Sequence, residues 1–276
     1  MRYGRILGAM GAFLLGSSSA MAGVVVTSTY TKLDVHQTNP MTIYADSDRL
    51  KVVTPEATVI YRGDTNRMWV IMPQQRSYME MTPETLQQLA GAQNQLAAAQ
   101  SALQERLAQM PPQQRAMMEQ MLAGHGLGGL SALAGAPSSG TPQIAFAKVG
   151  GGKTVARWNC DNYTKTVNGQ KEEDVCIVPV SATGLAAADF QVLERFSAFI
   201  QPILSSPLVP KMDYMDWSGM NKAIGFPGLP LDTTIYTQGR PTIQHAVSTI
   251  ERTNIPAGTY DLPAGLTKRD LPGMPR

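Results

Sequence analysis

Short apolar runs follow one another between residues 23 and 81, with turn-forming residues between them. The runs are GVVVTSTYTKLDV, MTIYADSDRLKVV, ATVIYRGD, RMWVIMP and RSYMEM. Short strands at near-regular spacing are typical of an antiparallel meander. Within residues 68–72, Met and Val alternate with Trp and Ile, so both faces of that strand are apolar. The pattern predicts a curved antiparallel sheet with another element packed against its concave side.

The pattern changes at Thr82, where a helical stretch begins. Thr82 followed by Pro83 is typical of a helix N-cap and the first helical position. A seven-residue apolar repeat then predicts a long helix with a narrow seam. The seam residues are Leu89, Leu96, Leu103 and Met110. A second short helix at 113–124 and a Gly/Ala/Ser-rich stretch follow. We interpret residues 82–142 as a helical insertion whose seam is a candidate contact for a partner protein.

The chain contains two cysteines, Cys160 and Cys176, on either side of an Asn168-Gly169 turn signal. A three-residue loop at 167–169 would place the two cysteines directly opposite each other. A redox pair would need a CxxC motif or a helix end that stabilises a thiolate, and neither is visible here. The arrangement predicts a structural disulfide. Closing a loop of about 15 residues stabilises the fold by about 3 kcal/mol on the chain-entropy account.

A covering helix is predicted for residues 186–204, where apolar residues recur at helical spacing. They are Phe190, Leu193, Phe196 and Ile200. The fold class is therefore α+β: a curved antiparallel sheet, or half-barrel, with a covering helix and an inserted helical hairpin. Large apolar residues are candidates to line a ligand site on the concave face, although such residues more often form plain core. The candidates are Trp69, Trp158, Phe190 and Phe196.

The N-terminus predicts export. Arg2 and Arg5 precede a short apolar run at 6–15, and Ala20-Met21-Ala22 is a small-x-small cleavage pattern. The run is too short to span a bilayer, which takes about 20 residues. We expect cleavage after Ala22, a single mature domain over 23–276, and a periplasmic protein that does not span the membrane.

The charge balance argues against nucleic acid as a partner. The chain has 23 Lys and Arg residues against 21 Asp and Glu residues. Loss of Arg2 and Arg5 with the signal peptide would leave a formally neutral chain, whereas nucleic-acid binding depends on basic patches.

Catalytic and metal-binding patterns are weak. His36, His125 and His245 are far apart, and a nucleophile-elbow motif for a serine enzyme is not apparent. Met117, Met121 and His125 would share a helix face if the helix continued past Gly124. Thioether ligands select Cu(I), but Met also fills adaptable apolar surfaces. We expect no enzyme activity, cofactor or metal, and leave the copper alternative open.

Three segments carry a family resemblance: NRMWVIMPQQRSYMEM, VARWNCDNYTKTVNGQKEEDVCIVPV and GFPGLPL. They resemble an uncharacterised family of exported bacterial proteins that is distantly similar to the lipoprotein-carrier superfamily. Members of that superfamily have a half-open antiparallel barrel wrapped around helices. The resemblance implies a non-catalytic binding protein with an apolar or lipid-like ligand on the concave face. The alternative is an envelope protein that contacts a partner protein through its Gln/Ala/Met-rich helices; a hydrolase is a third reading.

Overall fold

A computed structural model describes residues 22–109, 111, 114, 143–204 and 217–270 of the 276-residue chain. Within the first helix, the side chains of Leu96 and Leu103 are not among those described. The signal segment up to residue 21, Met110, and the copper candidates Met117, Met121 and His125 lie outside the described residues. The predictions for them therefore stay predictions.

The first half of the sheet is a meander of six antiparallel strands. They are β1 (Ala22–Lys32), β2 (Gln37–Ala45), β3 (Arg49–Val53), β4 (Thr58–Arg62), β5 (Arg67–Met72) and β6 (Ser77–Met81). Each of the first five pairs with the strand that follows it in the chain. The polar turn residues between them end each strand and reverse the chain, so the predicted meander is confirmed.

The second half of the sheet continues from β1 rather than from β6. Its strands are β7 (Ile144–Lys148), β8 (Lys153–Val155), β9 (Trp158–Val167), β10 (Gln170–Pro179), β11 (Gly228–Thr237) and β12 (Arg240–Asn254). The last strand, β13 (Thr267–Arg269), pairs with β6 at the outer edge of the first half. The order is β13-β6-β5-β4-β3-β2-β1-β12-β11-β10-β9-β7, with β8 also on β9. The described strands thus form one large, curved, open and mostly antiparallel sheet.

In the described residues, three α-helices accompany the sheet: α1 (Pro83–Gln109), α2 (Gln191–Leu204) and α3 (Trp217–Ile224). The predicted start of α1 is confirmed, because the N–H of Leu86 donates to the carbonyl of Thr82 at 2.9 Å. The Thr82 hydroxyl also accepts from the N–H of Thr85 at 3.4 Å. In the part of the chain that the structure describes, no helix combines the length and apolar character needed to cross a bilayer.

The two faces of the first six strands are covered by different parts of the chain. We call the face that contacts α1 and α2 the helix face, and its residues include Ala45, Leu50, Tyr61 and Met68. The opposite side, the tail face, is covered by residues 255–266, which pack against Ile60, Trp69 and Ile71. In the second half, α3 packs behind β9 and β10 through Met220 and Ile224. The sheet is therefore a layer buried on both sides.

The disulfide between Cys160 and Cys176 is present, with the two Cα atoms 5.4 Å apart. The predicted register was wrong. The turn has two residues, Asn168 (φ 52°) and Gly169 (φ 79°), so Val167 pairs with Gln170. Cys176 then pairs with Asn162, and the cysteines meet diagonally.

An extra residue explains why the cysteines still share a face. The pairing shifts between Lys171 and Glu173, so Glu172 forms a β-bulge. Without it, a two-residue turn would place Cys160 and Cys176 on opposite faces, since side chains alternate along a strand. A disulfide at this position is consistent with an oxidising compartment.

Candidate binding site on the helix face

Two buried apolar clusters lie side by side on the helix face. The first includes Val24, Val26, Trp158, Cys160, Cys176, Val178, Phe190, Leu229, Leu231, Val247 and Ile250. The second includes Leu50, Tyr61, Met68, Leu86, Val192, Phe196, Phe199 and Ile200. Ile43 and Leu193 are only partly buried, and both pack against both clusters. The two residues therefore mark the junction between the clusters, which we call the Ile43–Leu193 junction.

The local fold explains why these side chains meet. Ile43 of β2 pairs with Val26 of β1 and with Val52 of β3, which sets its side chain on the helix face. Leu193 lies three positions after Phe190 and three before Phe196, so it shares their side of the helix. The junction is thus an apolar spot, with some exposure to solvent, between a strand and the covering helix.

One wall of this region is aromatic. The ring of Tyr61 lies 5.4 Å from that of Phe196 and 5.2 Å from that of Phe199, measured between centroids, in tilted arrangements. Burial raises the pKa of the Tyr61 hydroxyl, an effect that the nearby Arg195 partly opposes. The hydroxyl is therefore neutral at pH 7, and the wall presents an uncharged surface. Tyr61 and Ile43 were not predicted as site residues. The alternation of side chains along their strands was the one sequence signal for the face on which they lie.

Arginines lie along the edge of the first cluster. Arg252 forms an ion pair with Asp189, whose carboxylate also accepts the N–H of Ala186 at 2.8 Å. Arg157 stacks over the ring of Trp158 at 4.8 Å from its centroid and donates to the carbonyl of Ile250 at 3.4 Å. The apolar surface is therefore bordered by two cations, one of them balanced by a carboxylate.

Three of the four predicted ligand-lining residues lie on the helix face. Trp158 and Phe190 belong to the first cluster and Phe196 to the second. Trp69 requires a correction, because its side chain lies on the tail face with Ile60 and Tyr260. Trp69 pairs with Ile60 in β4, and the alternation along β5 turns it away from Met68 and the helices. Trp69 therefore cannot line a surface shared with the other three.

The four residues of the predicted seam of α1 differ in what the structure says of them. Leu89 packs against the second cluster, next to the fully buried Leu86. Its side chain therefore contacts the chain's own core. For Leu96 and Leu103 the structure gives helical backbone only, and Met110 lies outside the described residues. From Gly91 to Gln109, every side chain that the structure describes is exposed. The first two turns of α1 therefore belong to the core of the domain.

A serine and a histidine also meet inside the sheet. Ser28 is fully buried, its hydroxyl lies 3.0 Å from His245 Nε2, and it donates to the carbonyl of Met41 at 3.3 Å. Burial lowers the pKa of His245. A substrate cannot reach a hydroxyl with no exposed surface, so we interpret the pair as satisfying polar groups beside the β1–β12 bulge. Among the described residues, no group of three or more His, Cys, Asp or Glu side chains is placed to hold a metal ion.

Comparison with known proteins gives little further constraint. No protein-family model matches the sequence, and no curated protein matches it significantly. Solved structures that resemble this chain include two at low identity. A structure of PNGF-II in space group C2 has 7% identity and a TM-score of 0.34 over 91% of this chain, and MucB in complex with MucA(peri) has 10% identity and a TM-score of 0.35 over 89%. This chain spans 31% and 56% of those chains. Because both TM-scores are below 0.5, neither likeness supports an argument about function, and the carrier resemblance stays a prediction.

Proposed function

We propose that the protein is a non-catalytic periplasmic binding protein that holds an apolar or lipid-like ligand at the Ile43–Leu193 junction. The observation that supports this most directly is the junction itself, where two partly exposed apolar side chains lie between buried clusters on a strand and a helix. Contiguous apolar surface that reaches solvent marks binding sites in many soluble proteins, and the junction is a place where two apolar clusters meet beside partly exposed side chains. The acyl part of a ligand would extend along this surface, and Arg157 at its edge would favour an acidic head group.

The covering helix offers a route for ligand entry. Contacts of Phe196, Phe199 and Ile200 with the sheet are apolar and therefore non-directional. The ion pair of Asp189 with Arg252 holds the opposite, N-terminal end of α2. Pro202 lies in the last helical turn and has no N–H to donate to the carbonyl of Ala198. We infer that the C-terminal end of α2 moves away from the sheet more readily than its N-terminal end.

A pair of tryptophan substitutions tests this function. Leu193→Trp fills the junction, whereas Glu194→Trp adds the same ring to an exposed position on the same helix. Wild type and Glu194→Trp should bind an environment-sensitive fluorescent fatty acid saturably, and ligand at 100 times the dissociation constant should stabilise them by about 2.7 kcal/mol. Leu193→Trp should bind at least tenfold more weakly. Equal binding by both variants, or no saturable binding by wild type across several lipid classes, would refute the proposal.

A second function is supported by α1. The helix has 27 residues, about 40 Å at 1.5 Å per residue, and its described side chains beyond Leu89 are mostly exposed. A long helix with a narrow apolar seam fits a helical partner protein of the envelope. Leu96→Asp should then abolish co-purification of a stoichiometric protein, while the matched change Gln95→Asp should preserve it. Recovery of the same protein with both variants would exclude the seam as the contact.

A further inference from the structure

The edge of the first half-sheet is closed by the chain's own C-terminus. β13 pairs with β6 in parallel through Thr267 with Ser77, Lys268 with Tyr78, and Arg269 with Met79. It is the only parallel pairing among the described strands. The N–H of Thr267 also donates to the carbonyl of Arg76 at 3.0 Å. The edge of β6 therefore accepts an added strand.

As far as the structure describes the chain, through residue 270, the added strand pairs with only part of that edge. β6 runs over Ser77–Met81, whereas β13 pairs only with Ser77–Met79. The described pairing ends before Glu80 and Met81. A longer parallel strand would pair with the whole of β6 and form more backbone hydrogen bonds than β13 does.

The contact is specified by charge. Lys268 Nζ lies 2.5 Å from a carboxylate oxygen of Glu80, and Arg67 Nη1 lies 2.8 Å from the other. The Glu80 side chain is 15% exposed and that of Lys268 is 55% exposed. A strand on this edge is therefore recognised by a basic side chain at the position opposite Tyr78.

Detachment of β13 would leave the rest of the tail in place. All three residues of β13 are exposed, so they bury little apolar surface. The anchor lies upstream, where Tyr260 is fully buried and Leu262 and Leu266 pack on the tail face. Lys51 Nζ also donates to the carbonyl of Thr259 at 2.9 Å. β13 is thus a short exposed strand, which we call the strap, and it follows a well-buried segment of the tail.

We infer that the outer edge of β6 is a docking site for an extended segment of a partner protein. The segment adds in parallel to β6, places a Lys or Arg against Glu80, and displaces the self-bound strap β13. Addition of a strand to a sheet edge gives affinity through backbone hydrogen bonds and selectivity through side chains. The strap competes with a partner segment for the edge of β6. Only a segment that is longer or more basic than β13 therefore displaces it.

Two labelled peptides, LTKRVTV and its charge-reversed form LTERVTV, test this site by fluorescence anisotropy on the full mature protein. Lys268→Glu weakens the strap without changing β6, so it should bind LTKRVTV at least tenfold more tightly than wild type. Lys222→Glu, an equal charge change on α3, should bind like wild type. Glu80→Lys should reverse the preference and bind LTERVTV, and Glu80→Gln should lose the preference.

Equal binding of LTKRVTV by wild type and Lys268→Glu would overturn the inference, and so would an unchanged peptide preference in Glu80→Lys. A concentration-dependent dimer of Lys268→Glu without peptide binding would also overturn it, because that result would mean exchange of the strap between two copies. Melting temperatures of all variants near that of wild type would show that the changes are local.

Discussion

At the scale of single residues, His245 is a titratable group in the β1–β12 pairing, where the two halves of the sheet join. Its Nε2 lies 3.0 Å from the hydroxyl of the buried Ser28, and burial lowers its pKa. The unfolded chain, with an ordinary histidine pKa of about 6.5, therefore binds a proton more readily than the folded protein. This part of the stability is complete above pH 7 and is lost as the pH falls through about 6.5.

We predict that the free energy of unfolding falls between pH 7 and pH 5, partly because of His245. Urea unfolding at pH 8, 7, 6 and 5 measures this fall for wild type and His245→Gln. The variant should show a shallower pH dependence over that interval, even though it is less stable at pH 8. Parallel curves for the two proteins would show that other groups cause the fall.

The cysteines show what the sequence could predict at this scale. Compartment and hairpin signals were enough to predict the pairing of Cys160 with Cys176, and the structure confirms it. The register could not be predicted, because a bulge at Glu172 follows from the hydrogen-bond pattern of two strands together and has no signature in either strand alone. The shorter turn and the bulge each shift the pairing by one residue, so together they leave the cysteines on the same face.

At the scale of elements, the β9–β10 hairpin makes a sharp prediction. Deletion of Glu172 should restore regular pairing and move Cys160 and Cys176 to opposite faces of the hairpin. We expect two reactive thiols in the exported variant, and a loss of up to about 3 kcal/mol of stability. Thiol titration in denaturant measures this, with Cys160→Ser and Cys176→Ser as references that should lose similar stability. A fully oxidised deletion variant would contradict the proposed role of the bulge.

The helix α1 makes a second prediction at this scale. Leu86 is fully buried between α2 and the sheet, so Leu86→Ala should lower the free energy of unfolding by about 2–5 kcal/mol. Ala98→Gly, at an exposed position of the same helix, should lower it by at most about 1 kcal/mol. Chemical denaturation of both variants separates a core role from helix propensity. Similar losses would mean that α1 is uniformly outside the core.

At the scale of the whole molecule, the C-terminal tail is part of the core. Tyr260 is fully buried on the tail face, and the guanidinium of Arg49 lies 4.9 Å from its ring centroid. Burial raises the pKa of its hydroxyl. We predict that Tyr260→Ala lowers the free energy of unfolding by about 3–5 kcal/mol, as for other buried aromatic residues, whereas Tyr260→Phe lowers it by less than about 1.5 kcal/mol. Thermal and urea unfolding measure both; equal losses would show that the hydroxyl matters more than the ring.

The sequence predicted one cover for the sheet and missed the other. The apolar spacing of Phe190, Phe196 and Ile200 predicts a covering helix over 186–204, whereas the structure has a 3₁₀ turn at Ala187–Phe190 followed by α2 from Gln191. The aliphatic residues of the tail on this face are Ile255, Leu262 and Leu266. Pro256, Pro263 and Gly265 interrupt the segment, and no helical or strand periodicity connects the three. The position of Trp69 could not be predicted either. Both faces of β5 are apolar, and the sequence of such a strand does not reveal which element covers each face.

The pairing of β1 with β12 has a consequence for how the chain folds. Ser28 and His245, which meet there, are 217 positions apart in sequence. The centre of the sheet therefore forms from the strand pairing of greatest sequence separation that the structure describes, and folding slows as contacts become less local. Synthesis at 5–20 residues per second leaves β1 without its β12 neighbour for on the order of ten to forty seconds. During that interval the chain lacks its central pairing, a condition that favours passage across a membrane as an extended polypeptide.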